Sequence, residues 1–342
     1  MIIGVDALGG DFCPRIPVEA AVKAMNQGIA DIALIGDENS IKEELKKYTF
    51  DSSKLTITHA PEMIEMQDQI SAVMRTKRNS SIRRGFQLHK SGEIDAFVSA
   101  GHSGAMLAIG KSVLRTVGNI ERPFIGALMP TIDPKKMVLL ADAGANMDVR
   151  PIHLFQFAII SSIYMEYCLE TPNPRIGLLN IGSEEGKGNS LVKETYNYFK
   201  DSRLNFVGNV EGKEFFSGLA DIVICDGFAG NVLLKSMQGA VKFITQLGKE
   251  EIKNSFLVKL ALPLLSRSLK KIYSQINYSN FGGAPLLGLK GVSVVCHGNS
   301  DAEAILTGIK YAKWAATASF MKKIEEVLEQ EMLKLNIPDA IL

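Results

Sequence analysis

The sequence has few cysteines, and their spacing indicates neither a disulfide framework nor a zinc site. Cys13, Cys168, Cys225 and Cys296 are the four cysteines among 342 residues, and none belongs to a CxxC pair. Cys225 and Cys296 each end an apolar run, which is typical of small buried thiols. A reducing, cytoplasmic environment is therefore expected.

Long apolar segments are also lacking. No run reaches the roughly 18 uninterrupted apolar residues of a membrane-spanning helix. The nearest approach, Ser255–Ser266, contains Lys259 and Pro263. Residues Met1–Asp11 lack the basic and apolar regions of a signal peptide, so none is predicted.

An excess of charge of either sign is absent. The chain has 38 Lys and Arg against 37 Asp and Glu, a net charge of +1, and only 7% aromatic residues. Nucleic-acid binding requires a basic surface and, for single strands, aromatic stacking platforms. The composition therefore argues against nucleic acid as a partner.

Two familiar nucleotide motifs are incomplete. Gly186–Gly188 lacks the third glycine of a dinucleotide fingerprint, and Gly208–Lys213 is one residue short of a P-loop and lacks its Ser or Thr. A nucleotide-driven mechanism is therefore disfavoured, while a nicotinamide site on another scaffold stays open.

What the sequence does contain is an alternation of short apolar runs with helical segments. The runs are apolar almost throughout, which is typical of strands buried on both faces of a parallel sheet. Sustained alternation predicts a three-layer α/β/α, Rossmann-like, doubly wound and mostly parallel sheet. The predicted strands are Ile2–Val5, Ile32–Ile35, Leu55–Thr58, Ala96–Ser99, Phe124–Leu128, Met137–Ala141, Ile176–Asn180, Phe206–Val207, Ile222–Cys225 and Val292–Cys296.

No linker divides the chain, so we expect one catalytic domain over residues 1–335, either as one body or as two lobes around a cleft. Between residues 240 and 275 the strand signal disappears, and a protruding helical hairpin is predicted there. Ser300 or Asp301 is the expected N-cap of the last helical segment. The predicted helices are Pro17–Gln27, Ile70–Lys90, Ser103–Thr116, Ile152–Cys168, Ser190–Asp201, Ala229–Leu247 and one or two within Asp301–Leu335.

Glycine, with Asp, Asn or Lys, follows seven of the predicted strands. Ligands bind outside the carboxyl ends of strands in an open parallel sheet, so these loops are expected along one edge. Glycine lets the backbone approach a ligand, and the helix N-terminus after each loop favours an anion. A cleft for a phosphate-bearing small molecule is therefore predicted. The loops are Asp6–Asp11, Gly36–Asp37, Ala100–Gly104, Asp142–Asn146, Gly182–Asn189, Asp226–Asn231 and His297–Asp301.

An ordered set of motifs extends from residue 1 to about residue 310. They are Val5–Asp11 with Pro14, Ala72–Lys77 with Ser80 and Ser81, Ser99–Ala105, Leu140–Asn146, Gly177–Gly182, Glu185–Asn189, Asp226–Asn231, Tyr278–Ala284 with Gly288–Lys290, and His297–Asp301. Together they resemble the acyl-acyl-carrier-protein:phosphate acyltransferases of bacterial phospholipid synthesis. Leu8 stands where that family usually has Met, and His102 stands where Asn is usual.

The resemblance implies that inorganic phosphate attacks the thioester of a fatty acyl chain carried on acyl carrier protein. The products are the free carrier thiol and an acyl phosphate for phosphatidic acid and phospholipid synthesis. The resemblance also implies an isocitrate/isopropylmalate dehydrogenase-like fold, a homodimer and peripheral association with an anionic membrane surface. A glycerol-3-phosphate acyltransferase is the implied downstream partner, and neither a cofactor nor a metal is expected.

This chemistry needs little acid–base catalysis. Phosphate, with a pKa of about 6 to 7, is largely dianionic near neutral pH, and a thiol of pKa about 8.5 leaves readily as thiolate. Orientation and oxyanion stabilisation remain, for which Lys187, Asn231 and His102 are the expected catalytic residues. The alternatives are a solvated loop lysine, a helix N-cap and a hydrogen-bonded loop histidine, respectively.

The remaining strand-end residues are expected to bind substrate by orienting cationic groups and backbone amides around the anion. Ordinary turn or N-cap structure is the alternative at each position, and His297 is expected to be structural. The expected substrate-binding residues are Asp6, Gly9, Gly10, Asp11, Gly101, Ser103, Asp142, Asn146, Asn189, Asp226, Gly227 and Asn280.

Five basic residues lie close together on the predicted helix Ile70–Lys90. They fit a landing site for the acidic carrier protein or for its phosphopantetheine phosphate, although a solvated helix face would look the same. The five are Arg75, Lys77, Arg78, Arg83 and Arg84.

The segment Phe256–Lys271 is apolar with basic residues towards its end. Dimer packing and insertion into anionic lipid both fit this pattern. For the whole chain, the rival hypotheses are an isocitrate-type dehydrogenase, an acetyl phosphate-forming transferase and a non-catalytic carrier-binding scaffold. The polar strand-end loops argue against a scaffold, and a carboxylate metal cluster beside an Arg-rich site is not evident.

Overall fold

The computed structural model describes residues 1–118, 120–254, 266, 283–317, 324, 326–328 and 330. In this part of the chain one sheet is covered by helices. Its strands are β1 (Ile2–Asp6), β2 (Asp31–Gly36), β3 (Leu55–His59), β4 (Ala96–Ser99), β5 (Phe124–Pro130), β6 (Met137–Ala141), β7 (Ile176–Asn180), β8 (Phe206–Glu211), β9 (Ile222–Ile224), β10 (Ala284–Leu287) and β11 (Val292–Val295). The helices are α1 (Arg15–Asn26), α2 (Glu38–Leu45), α3 (Ile70–Thr76), α4 (Ser81–Ser91), α5 (Ser103–Leu114), α6 (Pro151–Cys168), α7 (Ser190–Lys200), α8 (Gly227–Asn254) and α9 (Ala302–Thr317).

The eleven strands are ordered β3-β2-β1-β4-β11-β10-β5-β6-β9-β7-β8. The three central pairings, β11 with β10, β10 with β5 and β5 with β6, are antiparallel. The other seven are parallel. The prediction of a mixed α/β fold with a mostly parallel sheet is confirmed.

The three central reversals make the two outer groups of strands point in opposite directions. Strands β1, β2, β3, β4 and β11 end at one edge of the sheet, here called the first edge. Strands β6, β7, β8 and β9 end at the opposite, second edge. The expectation that all strand-end loops lie along one edge is therefore wrong.

The connection between β5 and β6 accounts for this error. Strand β10 (Ala284–Leu287), which was not predicted, is antiparallel to both β11 and β5, so its two reversals cancel and β5 points the same way as β11. Strands β5 and β6 are joined by residues 131–136 alone, whereas a parallel crossover needs about a dozen residues or more. Such a short connection allows only an antiparallel pair.

Helices pack on both faces of the sheet, giving three layers with two apolar cores. On β1, Ile3 and Val5 face the core beneath α1, α6 and α9. The opposite core lies beneath α4 and α5 and contains Phe86 and Phe97. Gly4 faces this second core, where a Cβ atom would lie 2.4 Å from Ile94 Cδ1. Burial on both faces explains why the strands read as continuous apolar runs.

The predicted helix Ile70–Lys90 is two helices, α3 and α4. The buried Ser80 separates the two helices, because its Oγ accepts a hydrogen bond from Arg83 N and so caps the start of α4. The backbone N–H of Asn79 is held by the Glu62 carboxylate at 2.6 Å. Helix α2 was not predicted. The predicted hairpin at 240–275 begins within α8, and most of its remainder lies outside the described residues.

None of the helices in the described part of the chain has both the length and the apolar character needed to cross a membrane.

Candidate functional site

At the first edge, the loop after β1 is built around the carboxylate of Asp6. This side chain is buried and accepts hydrogen bonds from Ser99 Oγ at 2.6 Å and Leu8 N at 3.0 Å. Ser99 Oγ in turn accepts from Gly101 N at 3.0 Å. Burial raises the pKa of Asp6 although these donors oppose the shift. Asp6 therefore connects the β1 loop to the β4 loop through Ser99.

Glycines allow the three first-edge loops to touch. A Cβ atom on Gly9 would lie 2.8 Å from both Asp6 Oδ2 and Gly101 N. Gly10 has φ +96°, and a Cβ there would lie 3.0 Å from Gly298 O of the β11 loop. Asp11 N donates to the same Gly298 oxygen at 2.8 Å. The β1 loop thus packs directly against the loops after β4 and β11.

His102 is the N-cap of α5. Its Nδ1 accepts hydrogen bonds from Gly104 N at 3.1 Å and Ala105 N at 3.3 Å. An imidazole nitrogen that accepts carries no proton, so the neutral ring has its proton on Nε2. His102 is therefore a hydrogen-bonded loop histidine, which was the alternative to a catalytic role. Its Nε2–H is the group that can still donate a hydrogen bond.

At the second edge, the Asp142 carboxylate organises the loop after β6. It is completely buried and accepts hydrogen bonds from the backbone N–H of Ile125, Gly144, Ala145 and Asn146 and from the Asn146 amide, at 2.7–3.2 Å. Burial raises the pKa of Asp142, against the effect of these donors. Asp142 and Asn146 therefore hold the loop in shape.

The loop after β9 closes tightly onto this β6 loop. A Cβ atom on Gly227 would lie 2.7 Å from Asn146 N, and one on Gly230 would lie 1.9 Å from Asp142 O. Across the contact, Gly144 at φ +137° lies beside Asn231. Asp226 Oδ1 accepts from Ala229 N at 2.8 Å and caps α8. The packing places Asn231 one turn into α8, facing Gly144.

Lys187 lies in the loop after β7, on the same edge. Strand β7 is the direct neighbour of β9, so this loop adjoins the start of α8. The Lys187 side chain is exposed and has no ion pair within the described part of the chain. Asn189 Oδ1 accepts from Val192 N at 3.0 Å and caps α7. Asn189 therefore has the N-cap geometry that was the alternative to binding.

A cavity of about 460 Å³ lies between the two edges and is lined by loops from both. Its lining includes Gly101 and Ser103 of the β4 loop and Gly144 and Asn231 of the second edge. Sheets twist, so diagonally opposite corners of a large sheet bend towards the same face. This twist explains how strand ends that point in opposite directions share one cavity.

Of the predicted site residues, Gly101, Ser103 and Asn231 line the cavity directly. Asp6, Gly9, Gly10 and Asp11 lie behind the first edge, and Asp142, Asn146, Asp226 and Gly227 behind the second. His102 adjoins the cavity, Lys187 and Asn189 lie in the neighbouring loop, and Asn280 lies outside the described residues.

Sequence reasoning missed Lys235 and Gln238 of α8, which also line the cavity. Lys235 follows Asn231 by four residues, so the two lie on one face of α8. That spacing was the available signal. His297 lines the cavity as well, and burial lowers its pKa. Within the described residues no three His, Cys, Asp or Glu side chains come together as a metal site.

The five basic residues lie beside the first edge, because α3 packs against α5. A Cβ on Gly104 would lie 2.5 Å from Ile70 Cδ1. Lys77 pairs with Asp68 at 2.5 Å, and Arg83 donates to Met74 O at 3.2 Å. Arg75, Arg78 and Arg84 are exposed. The cluster thus divides into two half-buried cations and three exposed ones, of which Arg78 also donates from Nε to Arg75 O at 3.3 Å.

Comparisons with known proteins agree with one another. Residues 1–323 match the model of a family described as "Fatty acid synthesis protein". A phosphate acyltransferase of Trichlorobacter lovleyi is 42% identical over 96% of this chain and 95% of its own. One of Geotalea uraniireducens is 42% identical over 98% of this chain and 99% of its own. In structure, a phosphotransacetylase of Streptococcus pyogenes superimposes with a TM-score of 0.61 at 17% identity, covering 93% of this chain and 94% of that one.

Proposed function

The chain belongs to the fatty acid synthesis protein family and is an acyltransferase that transfers an acyl group to phosphate. From this premise we propose that its donor is a fatty acyl thioester of acyl carrier protein. Inorganic phosphate attacks the thioester carbonyl, the carrier thiolate leaves, and an acyl phosphate forms for phospholipid synthesis. A glycerol-3-phosphate acyltransferase is the expected consumer of that product.

The observation that carries this proposal is the cavity shared by the two glycine-lined edges. It offers an amide at Asn231, an ammonium at Lys235, a hydroxyl at Ser103 and exposed loop backbone. Phosphate is its own nucleophile and thiolate a good leaving group, so positioning and oxyanion stabilisation are the main requirements. Orientation supplies about 7–11 kcal/mol of barrier reduction, and one oxyanion donor about 3–4 kcal/mol.

We assign the three catalytic roles as follows. Asn231 donates its amide to the developing oxyanion, since it lies at the start of α8 in the cavity wall. Lys187 extends from the adjacent loop towards the phosphate. His102 donates a hydrogen bond from Nε2 towards the leaving sulfur. It does not supply a full proton, because protonating Nδ1 would break the α5 cap.

We propose an isocitrate/isopropylmalate dehydrogenase-like class for the fold, with residues 1–335 as a single catalytic domain of two lobes. Two groups of parallel strands running in opposite directions support two lobes. The remaining strand-end residues, Asp6, Gly9, Gly10, Asp11, Asp142, Asn146, Asn189, Asp226 and Gly227, shape the loops around the substrates. Asn280 is retained as a proposed substrate contact on the family resemblance alone.

The exposed cations Arg75, Arg78 and Arg84 are the proposed landing site for the acidic carrier protein. Their position beside the first edge would bring the carrier-borne thioester to the cavity. Met66, which shortly precedes α3 in the chain, lines that cavity. Lys77 and Arg83 brace this surface through Asp68 and Met74. Electrostatic docking of this kind accelerates association and weakens with salt.

We also propose a cytoplasmic homodimer that associates peripherally with anionic membranes. The support is an exposed apolar surface on α8, where Phe243, Ile244 and Leu247 are 63%, 67% and 50% exposed. Lys242, Lys249 and Lys253 accompany these residues on the same helix. Sedimentation tests the dimer, and flotation with anionic vesicles tests the membrane; a monomer, or protein left at the bottom, would contradict the respective proposal.

The proposed function is tested by incubating the protein with palmitoyl-acyl carrier protein and phosphate while following free thiol and acyl phosphate. Phosphate-dependent release of both products in equal amounts is expected. Thiol release without phosphate, or no release, would contradict the carrier-borne donor. Replacing Arg75, Arg78 and Arg84 together with Glu should raise the KM for the carrier substrate and remove its salt dependence. The exposed Lys90→Glu serves as the matched control.

A further inference from the structure

Residues of the central strands form the floor of the cavity. Ile125, Ala127, Leu128 and Met129 of β5 line it, and Ile125, Ala127 and Met129 lie on one face of the strand as alternate residues. Leu286 of β10 pairs with Ile125, so Ala284, two residues earlier on this antiparallel strand, comes opposite Ala127.

Ala284 pairs in turn with Val295 of β11. Ala127, Ala284 and Val295 therefore form a row across three neighbouring strands, and all three line the cavity. We call them the floor row.

Ala127 and Ala284 carry the shortest side chains among the strand residues that line the cavity. Larger side chains flank Ala127 on its own strand, with Ile125 on one side and Met129 on the other. Leu234 of α8 lines the cavity wall. The surroundings of the floor row are thus apolar on several sides.

Polar groups lie mainly at the ends of the cavity, and Lys235 and Gln238 of α8 add two on its wall. Ser103 and the β11 loop residues His297–Asp301 lie at the first edge, and Asn231 lies at the second. Phosphate and the carrier thioester match these polar ends. Of the groups that take part in the reaction, only the hydrocarbon of the acyl chain matches the apolar middle.

We propose that the acyl chain lies along the floor row, and that the side chains at positions 127 and 284 limit the length of chain the enzyme accepts. This inference rests on the fatty acyl donor of the proposed function. Each methylene group moved from water into apolar surroundings contributes about fourfold in affinity. Filling the floor therefore penalises long chains and spares short ones.

The test compares octanoyl and palmitoyl donors on acyl carrier protein, using Ala127→Leu and Ala284→Leu. We expect kcat/KM for palmitoyl to fall about tenfold or more relative to octanoyl, because Leu displaces two or more methylene groups. The KM for phosphate should stay unchanged. Met129→Ala should shift the preference in the opposite direction. Ile132→Ala, whose side chain is 83% exposed just beyond β5, is the control and should leave the ratio unchanged.

An unchanged palmitoyl-to-octanoyl ratio in both leucine variants would overturn the inference. If the wild-type enzyme transfers neither chain to phosphate, the proposed function itself fails, which is a distinguishable result. Should a leucine variant unfold at lower temperature than the wild type, Ala127→Val makes the same comparison with a smaller side chain.

Discussion

The carboxylates at the strand ends accept hydrogen bonds mainly from the protein's own backbone. Asp142 receives five hydrogen bonds, Asp226 caps α8, and Asp301 caps α9 by accepting from Ala304 N at 2.8 Å. A buried carboxylate that accepts several backbone N–H groups holds a loop in one conformation. These residues shape the site, and Asp301 is the one among them that also lines the cavity, beside the Asn231 amide, the Ser103 hydroxyl and the Lys235 ammonium.

Lys187 allows a prediction at the residue scale. Lys187→Ala should lower kcat/KM for acyl transfer by about a hundredfold or more, since one preorganised donor to a developing charge is worth about that much. Thermal unfolding should be unchanged, because no ion pair within the described residues is lost. Lys193→Ala on the exposed face of α7 is the control. Near-normal rates would remove Lys187 from the mechanism and leave Lys235 as the cavity's lysine.

Sequence motifs could identify Asn231 and Ser103, which do line the cavity, but they did not distinguish them from Asp6 or Asp226. All follow strands and precede helices, so their sequence contexts are alike. Whether a side chain faces the cavity or its own loop depends on the neighbouring loop. Lys235 was missed because it lies two turns inside a helix rather than at a strand end.

Among the elements, α8 depends most on close backbone contact. Its first turn packs on the β6 loop through Gly230, at a point where a Cβ atom would lie 1.9 Å from the Asp142 carbonyl oxygen. Because the contacted atom belongs to the backbone, a side chain at position 230 would require the β6 loop itself to move. The position of Asn231 therefore depends on the glycine one residue before it.

Two identical substitutions on α8 should have opposite effects. Gly230→Ala should displace the helix start, reducing acyl transfer more than tenfold and lowering the unfolding temperature. Gly239→Ala, where no atom lies within 4 Å of the added Cβ, should stabilise the protein by about 0.5–1 kcal/mol through helix propensity. Activity and thermal unfolding of both variants provide the test. Equal changes in stability would show that the β6 loop accommodates a Cβ atom at position 230, contrary to the prediction.

At the scale of the whole molecule, three antiparallel pairings join two parallel halves into one sheet. This arrangement turns the strand ends of the halves in opposite directions, and the twist of the sheet brings both into one cavity. The site is consequently assembled from sequence segments as distant as Gly101 and Asp301. Stability of the sheet as a whole is therefore a condition of activity.

Buried histidine makes that stability depend on pH. His89, packed against Gly291, has a lowered pKa because burial disfavours the imidazolium, and its hydrogen bond to the Ile94 carbonyl offsets only part of this effect. Below the unfolded-state pKa of about 6.5, the unfolded chain binds a proton that folded His89 does not. The free energy of unfolding should therefore fall as pH drops from about 6.5 towards the lower folded-state pKa.

Urea unfolding between about pH 5 and pH 8 measures this dependence. His89→Gln should reduce the slope, leaving the part due to His153 and His297, whose pKa values burial also lowers. Asp6 and Asp142, whose pKa values are raised by burial, act in the opposite sense, because folding takes up protons at those sites. The comparison of wild type with His89→Gln isolates the histidine. The same acid slope in both proteins would contradict its role.

The sequence alone determined ten of the strands, the α/β class and the family, because strands buried on both faces appear as continuous apolar runs and the motifs occur in a fixed order. Tertiary structure decided the direction of the second group of strands, which reverses at the antiparallel β5–β6 pair, and it added β10, which was not predicted. It also decided which strand-end residues face the cavity. Those outcomes depend on contacts between segments far apart in the chain, and local sequence patterns carry no information about such contacts.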